Sequence, residues 1–216
     1  EKAVTRQEAF VVLARALCLD ENSSAEVLER FSDAALVAPW AKGALSSLVS
    51  RSYVNGSDGK LNPNGNITRA EFAQLMYNLI SLYVDDESDI ALISESNGNV
   101  VLRSNVTPIK DLSCQRDFII ADGVEGKVVL EGVNVGSRIV LRSGASLVYS
   151  GFCGEIISNN SSSSLTLEKG ADVEKVTLPE GAKLVDNSKE ETPSIPSTPS
   201  VPSTPSTPEQ EDDIWT

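Results

Sequence analysis

The chain has 216 residues, 40% of them hydrophobic, with 31 acidic side chains against 18 basic ones, a formal charge of −13 and no histidine. That balance excludes nucleic-acid binding, which needs clustered Lys and Arg to displace counterions, and opposes docking on anionic membrane surfaces. No apolar run approaches the roughly 20 residues that span a bilayer. Without histidine, Ser-His-Asp and Cys-His triads, the HExxH zinc site and most general-base schemes near neutral pH are gone.

Residues 1–84 are predicted helical. Phe10, Leu13, Ala14 and Leu17 form a first apolar stripe, and Ser23 followed by Glu26 predicts a short capped helix before Arg30. Trp40, Ala44, Leu45, Leu48 and Val49 form a second stripe, with Pro39 suited to the first helical position. Trp40 is expected in the core on that pattern, with a sugar-stacking face as its functional alternative. Turn residues crowd Asn55-Gly56-Ser57-Asp58-Gly59 and Asn62-Pro63-Asn64-Gly65-Asn66. This stretch is no calcium loop, because Val54, Gly56 and Gly65 stand where acids are needed. Phe72, Leu75, Met76, Leu79, Ile80 and Tyr83 fall on one face of a third helix.

The acidic run Asp85-Asp86-Glu87, with Asp89, marks a solvated linker over 85–97. From 98 to 186 the period changes. One series of β-branched triplets contains Val100-Val101-Leu102, Phe118-Ile119-Ile120, Ile139-Val140-Leu141, Glu155-Ile156-Ile157 and Val176-Thr177-Leu178. A second interleaves with it at Val128-Val129-Leu130, Leu147-Val148-Tyr149, Leu165-Thr166-Leu167 and Lys183-Leu184-Val185. Two strands per turn of about 19 residues predict a short parallel β-helix, of roughly four to five rungs, with Val129, Val148, Thr166 and Leu184 in one column. An antiparallel sandwich is the structural alternative. Cys114 and Cys153 lie about two turns apart, roughly 9–10 Å at the rung spacing, too far for a disulfide, so both are expected as buried free thiols. No CxxC is present, and neither metal nor cofactor is expected. In 187–216 proline recurs at every third position from Pro193 to Pro208 among Ser and Thr, which predicts a disordered or extended tail.

Recognition chemistry centres on two short segments, Val4-Thr5-Arg6-Gln7-Glu8 and Ile67-Thr68-Arg69-Ala70-Glu71. In each, Thr-x-x-Glu is a capping box. An Arg beside a helix N-terminus joins a charged donor fork to the exposed N–H groups and positive dipole end, an arrangement suited to a carboxylate. The wider order is Phe31-Ser32-Asp33, Trp40-Ala41, Asn55-Gly56, Asp58-Gly59, Leu61-Asn62-Pro63, then Ile67-Thr68-Arg69-Ala70-Glu71-Phe72-Ala73. This resembles an S-layer homology (SLH) repeat, one full repeat over about 31–83, with 4–19 similar to the last helix of a preceding one. The latter departs from the pattern at Gln7 and in the order Ala9-Phe10.

The resemblance implies an all-α SLH-type module that binds anionic, often pyruvylated, secondary cell-wall polysaccharide in grooves between repeats. It implicates Arg69 and Arg6, with Thr68, Glu71, Asp33, Trp40 and Gly56 around them. Asp33 is alternatively a helix-start cap, and Gly56 serves turn geometry and close backbone approach. The expected architecture is this helical module, a β-solenoid acting as spacer, display element or self-association surface, and the tail. The expected protein is extracellular, held at the cell wall or S-layer, and not an enzyme. The alternative is a polysaccharide-active enzyme using convergent solenoid acids among Asp117, Asp122, Glu125, Glu131, Glu155 and Glu168. Deleting 187–216 should leave the melting temperature nearly unchanged. A large drop would show that the apolar Ile214-Trp215 end docks on the body.

Overall fold

The computed structural model describes residues 3–19 and 23–189, so the tail from 190 onward lies outside the described residues. Among the described residues, three α-helices come first: α1 (Arg6–Ala16), α2 (Pro39–Ser50) and α3 (Arg69–Leu79). Between α1 and α2 run short 3-10 turns at Ala25–Leu28, capped by the Ser24 hydroxyl rather than by Ser23, and at Ala34–Leu36. The predicted stripes bury well in the first two helices. Phe10, Leu13, Ala14, Ala44, Leu45, Leu48 and Val49 are all buried, with Ala14, Ala44, Leu45 and Leu48 at 0% exposure. Trp40 is the exception, 53% exposed on the first turn of α2, so it is not a core residue.

Ten strands follow, all joined by parallel pairing: β1 (Ile80–Val84), β2 (Asn99–Leu102), β3 (Ile109–Lys110), β4 (Ser113–Cys114), β5 (Phe118–Ile120), β6 (Lys127–Glu131), β7 (Asn134–Leu141), β8 (Ser146–Ser158), β9 (Ser164–Thr177) and β10 (Lys183–Asp186). The parallel β-solenoid is therefore present, and the antiparallel alternative is not. It has three stacks where two were expected. One runs β1, β2, β5, then the ends of β7, β8 and β9. A second runs β3, β6, the starts of β8 and β9, then β10. A short third stack joins Cys114, Val135, Cys153 and Val173.

That third stack settles the thiol geometry. Val135 lies between Cys114 and Cys153 in register, so the two sulfurs sit two rungs apart. Cys114, Cys153 and the half-buried Cys18 are all free. Burial pushes the Cys114 and Cys153 thiols up to about 11, which keeps them protonated at neutral pH.

The solenoid also begins earlier than expected. The third helix ends at Leu79, and Ile80 and Tyr83 belong to β1, not to a helical stripe. Only Leu75 and Leu79 of α3 are buried, with Phe72 41% exposed. The acidic run is not a free linker. Asp86 caps a 3-10 segment, Glu87–Glu95, whose Ile93 is fully buried, and Asp85 accepts from Arg103 Nε at 2.8 Å. In the second stack the column is Val129, Val148, Thr166 and Val185, one residue on from the expected Leu184.

Two cores share the first stack. Val100, Leu102, Phe118, Ile120, Ile139, Leu141 and Ile156 point into the solenoid. Their neighbours Val101, Ile119, Val140 and Ile157 point outward, into the core of the helices. This is why these triplets are continuous apolar runs: a strand covered on both faces needs no polar alternation. Polar groups lock the same seam. Arg138 is 4% exposed and pairs with Asp117, 1% exposed, at 2.5 Å. Its guanidinium also donates to the Cys18 carbonyl at 2.8 Å and the Leu17 carbonyl at 3.2 Å, and Arg142 donates to the Ala16 carbonyl. Two solenoid arginines thus satisfy the carbonyls that the end of α1 leaves open. Buried Asn99 donates to the Leu79 carbonyl at 2.9 Å and accepts from the Tyr53 hydroxyl at 3.1 Å and the Asp117 N–H at 3.2 Å.

Removing one partner of a buried ion pair leaves an uncompensated charge, a cost of about 3–5 kcal/mol. Asp117→Ala should lower the denaturant midpoint accordingly. Asp117→Leu combined with Arg138→Met should recover part of the loss but not all, because the carbonyls of α1 lose their donors.

Candidate functional site

The two Thr-Arg-x-Glu segments fold as the capping boxes expected. Thr5 N–H and Oγ1 donate to Glu8 Oε2 at 2.7 and 2.8 Å, and Thr68 does the same to Glu71 Oε2 at 2.8 and 2.9 Å. The segments are also neighbours. Thr5 bridges Asn66, Ile67 N–H donates to the Val4 carbonyl at 3.0 Å, Arg6 N–H to Gly65 at 2.8 Å and Gln7 N–H to Pro63 at 3.0 Å. The first-turn donors of α1 are thereby filled, those of Arg6 and Gln7 by the 61–66 turn and that of Glu8 by the Thr5 hydroxyl. The N-terminus of α1 is closed to a ligand, and any anion recognition at Arg6 falls to its side chain.

That side chain enters a cleft of about 760 Å³ between α1, the 53–62 turn region and α3, within the size range of small-ligand sites. Arg6 is 15% exposed and held at several points: Nε donates to the Leu61 carbonyl at 2.9 Å, Nη1 pairs with Glu71 Oε1 at 2.9 Å, and the guanidinium lies 5.3 Å from the Phe10 ring centre. Two of its five N–H donors are engaged in these bonds, which leaves the rest for the cleft. The second segment's glutamate therefore orients the first segment's arginine. Hydrogen bonds from the Thr68 backbone and hydroxyl, then the charge of Arg6, hold the Glu71 carboxyl below the usual range. This contribution is present at neutral pH and is lost as pH falls through the lowered value.

Asp33 lines the cleft but its carboxylate is occupied, accepting from Leu61 N–H at 2.9 Å and Asn62 N–H at 2.7 Å. It makes no side-chain cap to the 3-10 turn it precedes, so the helix-cap expectation is corrected: Asp33 clamps the turn. Gly56 has φ +70, and a Cβ there would lie 2.5 Å from the Lys60 carbonyl oxygen and 2.7 Å from Phe31 Cε1. Both roles expected for it, turn geometry and close approach, are visible. Arg6, Asp33, Gly56 and Glu71 line one cleft; Thr68, Arg69 and Trp40 do not. Arg69 lies exposed on the first turn of α3, and Trp40 is exposed on α2. Sequence reasoning missed Lys60 on the turn, and Gln74 and Asn78 on α3, whose amides bond each other at 2.8 Å. The turn residues were recognised only as turn residues. Gln74 and Asn78 stand at i and i+4 on a helix, a spacing that puts them on one face.

A compact helical unit with a polar cleft between two copies of one motif is the class these residues define. Comparison with known proteins gives it a family: the S-layer homology domain matches residues 30–73, so the chain carries an SLH domain over that stretch. The chain is 36% identical over 100 residues to Cell surface glycoprotein 1 of Acetivibrio thermocellus, which covers 45% of this chain and 4% of that protein. It is 42% identical over 76 residues to the Surface-layer 125 kDa protein of Lysinibacillus sphaericus, 33% of this chain and 6% of that protein. The chain thus spans a small part of either relative. No solved structure matches it. The domain and these relatives indicate a cell-wall or S-layer location outside the cell.

Gly56→Ala should destabilise the turn by about 1–3 kcal/mol, the usual cost of a non-glycine residue forced into a disfavoured backbone conformation. Gly59→Ala is the control, with a similar φ of +69 but no atom within 4 Å of the added carbon. Equal losses in a denaturant titration would show that contact with Lys60 and Phe31 is irrelevant.

Proposed function

We propose that this chain anchors a surface protein non-covalently to the bacterial cell wall by binding secondary cell-wall polysaccharide in the cleft beside Arg6. The observation that carries this reading is the meeting of Arg6 from one Thr-Arg-x-Glu segment with Glu71 from the other, in a cleft built largely from the SLH-matched stretch. An anionic, pyruvylated polymer suits an arginine with unused donors. In this reading Arg6 serves the cleft present here. Arg69, Thr68 and Trp40 repeat or flank the motif on surfaces that a further repeat would face. The solenoid acts as structural spacer or display element, bearing on the helices through Val101, Ile119, Val140 and Ile157.

Of the six solenoid acids that the enzymatic alternative would draw on, four are held in ion pairs. Asp117 is buried against Arg138, Asp122 pairs with Arg142, Glu131 with Lys110 and Glu155 with Lys175.

Sedimentation with isolated wall fragments that retain their polysaccharide tests the anchoring. A charge-assisted hydrogen bond contributes about 1.5–3 kcal/mol, so Arg6→Ala should weaken binding by roughly 10- to 150-fold. Arg6→Lys should recover part of it, since an ammonium lacks the planar fork. Arg69→Ala should cost less than Arg6→Ala in this chain. Wild-type affinity in a folded Arg6→Ala variant would remove the cleft from the anchoring function.

A further inference from the structure

The charges lining the cleft do not balance as its arginine suggests. The positive charge of Arg6 is compensated at 2.9 Å by Glu71, and Asp33 is bonded to two backbone N–H groups. Among the described residues the other cation lining the cleft is Lys60, and it forms no ion pair with any of them. Asp58 shares its turn but accepts from the Ser57 hydroxyl at 3.4 Å and does not reach Lys60 within ion-pair distance. The backbone under Lys60 is fixed. Its N–H and carbonyl both bond Ser57 at 2.9 Å, and the two residues between them, Asp58 and Gly59, supply the positive φ values that close the turn. Lys60 is thus an exposed, unpaired cation among the described residues, on a hydrogen-bonded turn that lines a cleft whose arginine is already paired.

Resting on the proposed anchoring reading, we infer that Lys60 is the specificity-determining residue that reads the negative charge of a carboxylate-bearing saccharide in this cleft. Arg6, fixed by Glu71 and Leu61, positions the sugar through its remaining donors. The Gln74–Asn78 amides on the α3 wall offer neutral donors and acceptors to ring hydroxyls. Charge selection and sugar positioning thus fall to different elements, the 57–60 turn and the two helices.

The test uses wall polysaccharide freed of peptidoglycan, intact and after chemical reduction of its carboxylates to alcohols, titrated against wild type, Lys60→Met and Lys60→Arg. Wild type should prefer the intact polymer. Lys60→Met should lose about tenfold affinity for it, the low end expected for one charge-assisted bond, and should bind the two polymers alike. Lys60→Arg should keep the preference. All three should melt together, since the side chain is exposed. If Lys60→Met retains the wild-type preference, the inference fails while the anchoring reading stands. Wild-type binding that ignores carboxylate reduction has the same consequence. If wild type binds neither polymer, the anchoring reading fails and this inference falls with it.

Discussion

The seam between the helices and the solenoid depends on Arg138. Its guanidinium lies almost wholly out of water, paired with Asp117 and donating to two carbonyls at the end of α1. Desolvating such a pair costs several kcal/mol per ion, so the pair adds little net stability compared with apolar residues of the same shape. What it enforces is arrangement. Any packing of the helices that moved α1 would strand a buried charge and leave the final carbonyls without donors. Asn99 imposes the same condition from the other side, holding Leu79, Tyr53 and Asp117 through one amide. Asp117 is common to both networks, so the ends of α1 and α3 and the turn after α2 are referred to one point on the solenoid.

This matters for the cleft, because its two motif segments come from α1 and α3. Their N-terminal ends meet directly through the Thr5–Asn66 bridge and the bonds from Arg6 and Gln7 to Gly65 and Pro63. Their C-terminal ends are fixed through the solenoid. The Arg6–Glu71 contact, exposed at its glutamate end and worth little as a surface ion pair, is held from both directions by better-buried structure. A saccharide arriving in the cleft would meet an arginine already ordered, with less conformational entropy left to lose.

Much of this could be seen in the residues beforehand, and the exceptions share causes. Capping boxes were legible because Thr-x-x-Glu satisfies local backbone donors within one turn, whatever surrounds it. The solenoid was legible because β-branched triplets recur at a constant period. The position of each triplet in its column was less so. Ile157, not Ile156, continues the column of Val140, and β7 also carries a register shift between Val135 and Arg138 that triplet spacing cannot reveal. The helix-to-strand change at Ile80 was hidden because Ile80 and Tyr83 extend the stripe of α3, although Tyr83 is exposed on β1; the strand is decided by pairing with Asn99–Leu102, a long-range contact. The third stack was missed because it holds few residues per turn, and glycine and polar residues beside them broke any apolar pattern. In the cleft, Arg6 and Glu71 were visible as motif residues, but their contact joins the second position of one motif to the fourth of the other. Nothing local to either segment encodes it.

The outward column of the first stack held one more piece of information. Val101, Ile119, Val140 and Ile157 are outward-facing, and on a free-standing solenoid those positions would meet water. In the second series the outward column, Val129, Val148, Thr166 and Val185, lies only partly buried and ends exposed. The difference between the two series is the footprint of the helices on one face of the coil. It bears on the proposed spacer role, because a solenoid that shares a core with its anchor cannot swing freely about it. The linker that composition suggested at 85–97 is folded into the first turn, with Ile93 buried and Asp85 bonded to Arg103. A display element built this way holds a fixed direction relative to the cleft beside Arg6. On the proposed anchoring, the direction in which the chain leaves the wall is set by the face of the coil that Arg138 and Asn99 fasten to the helices.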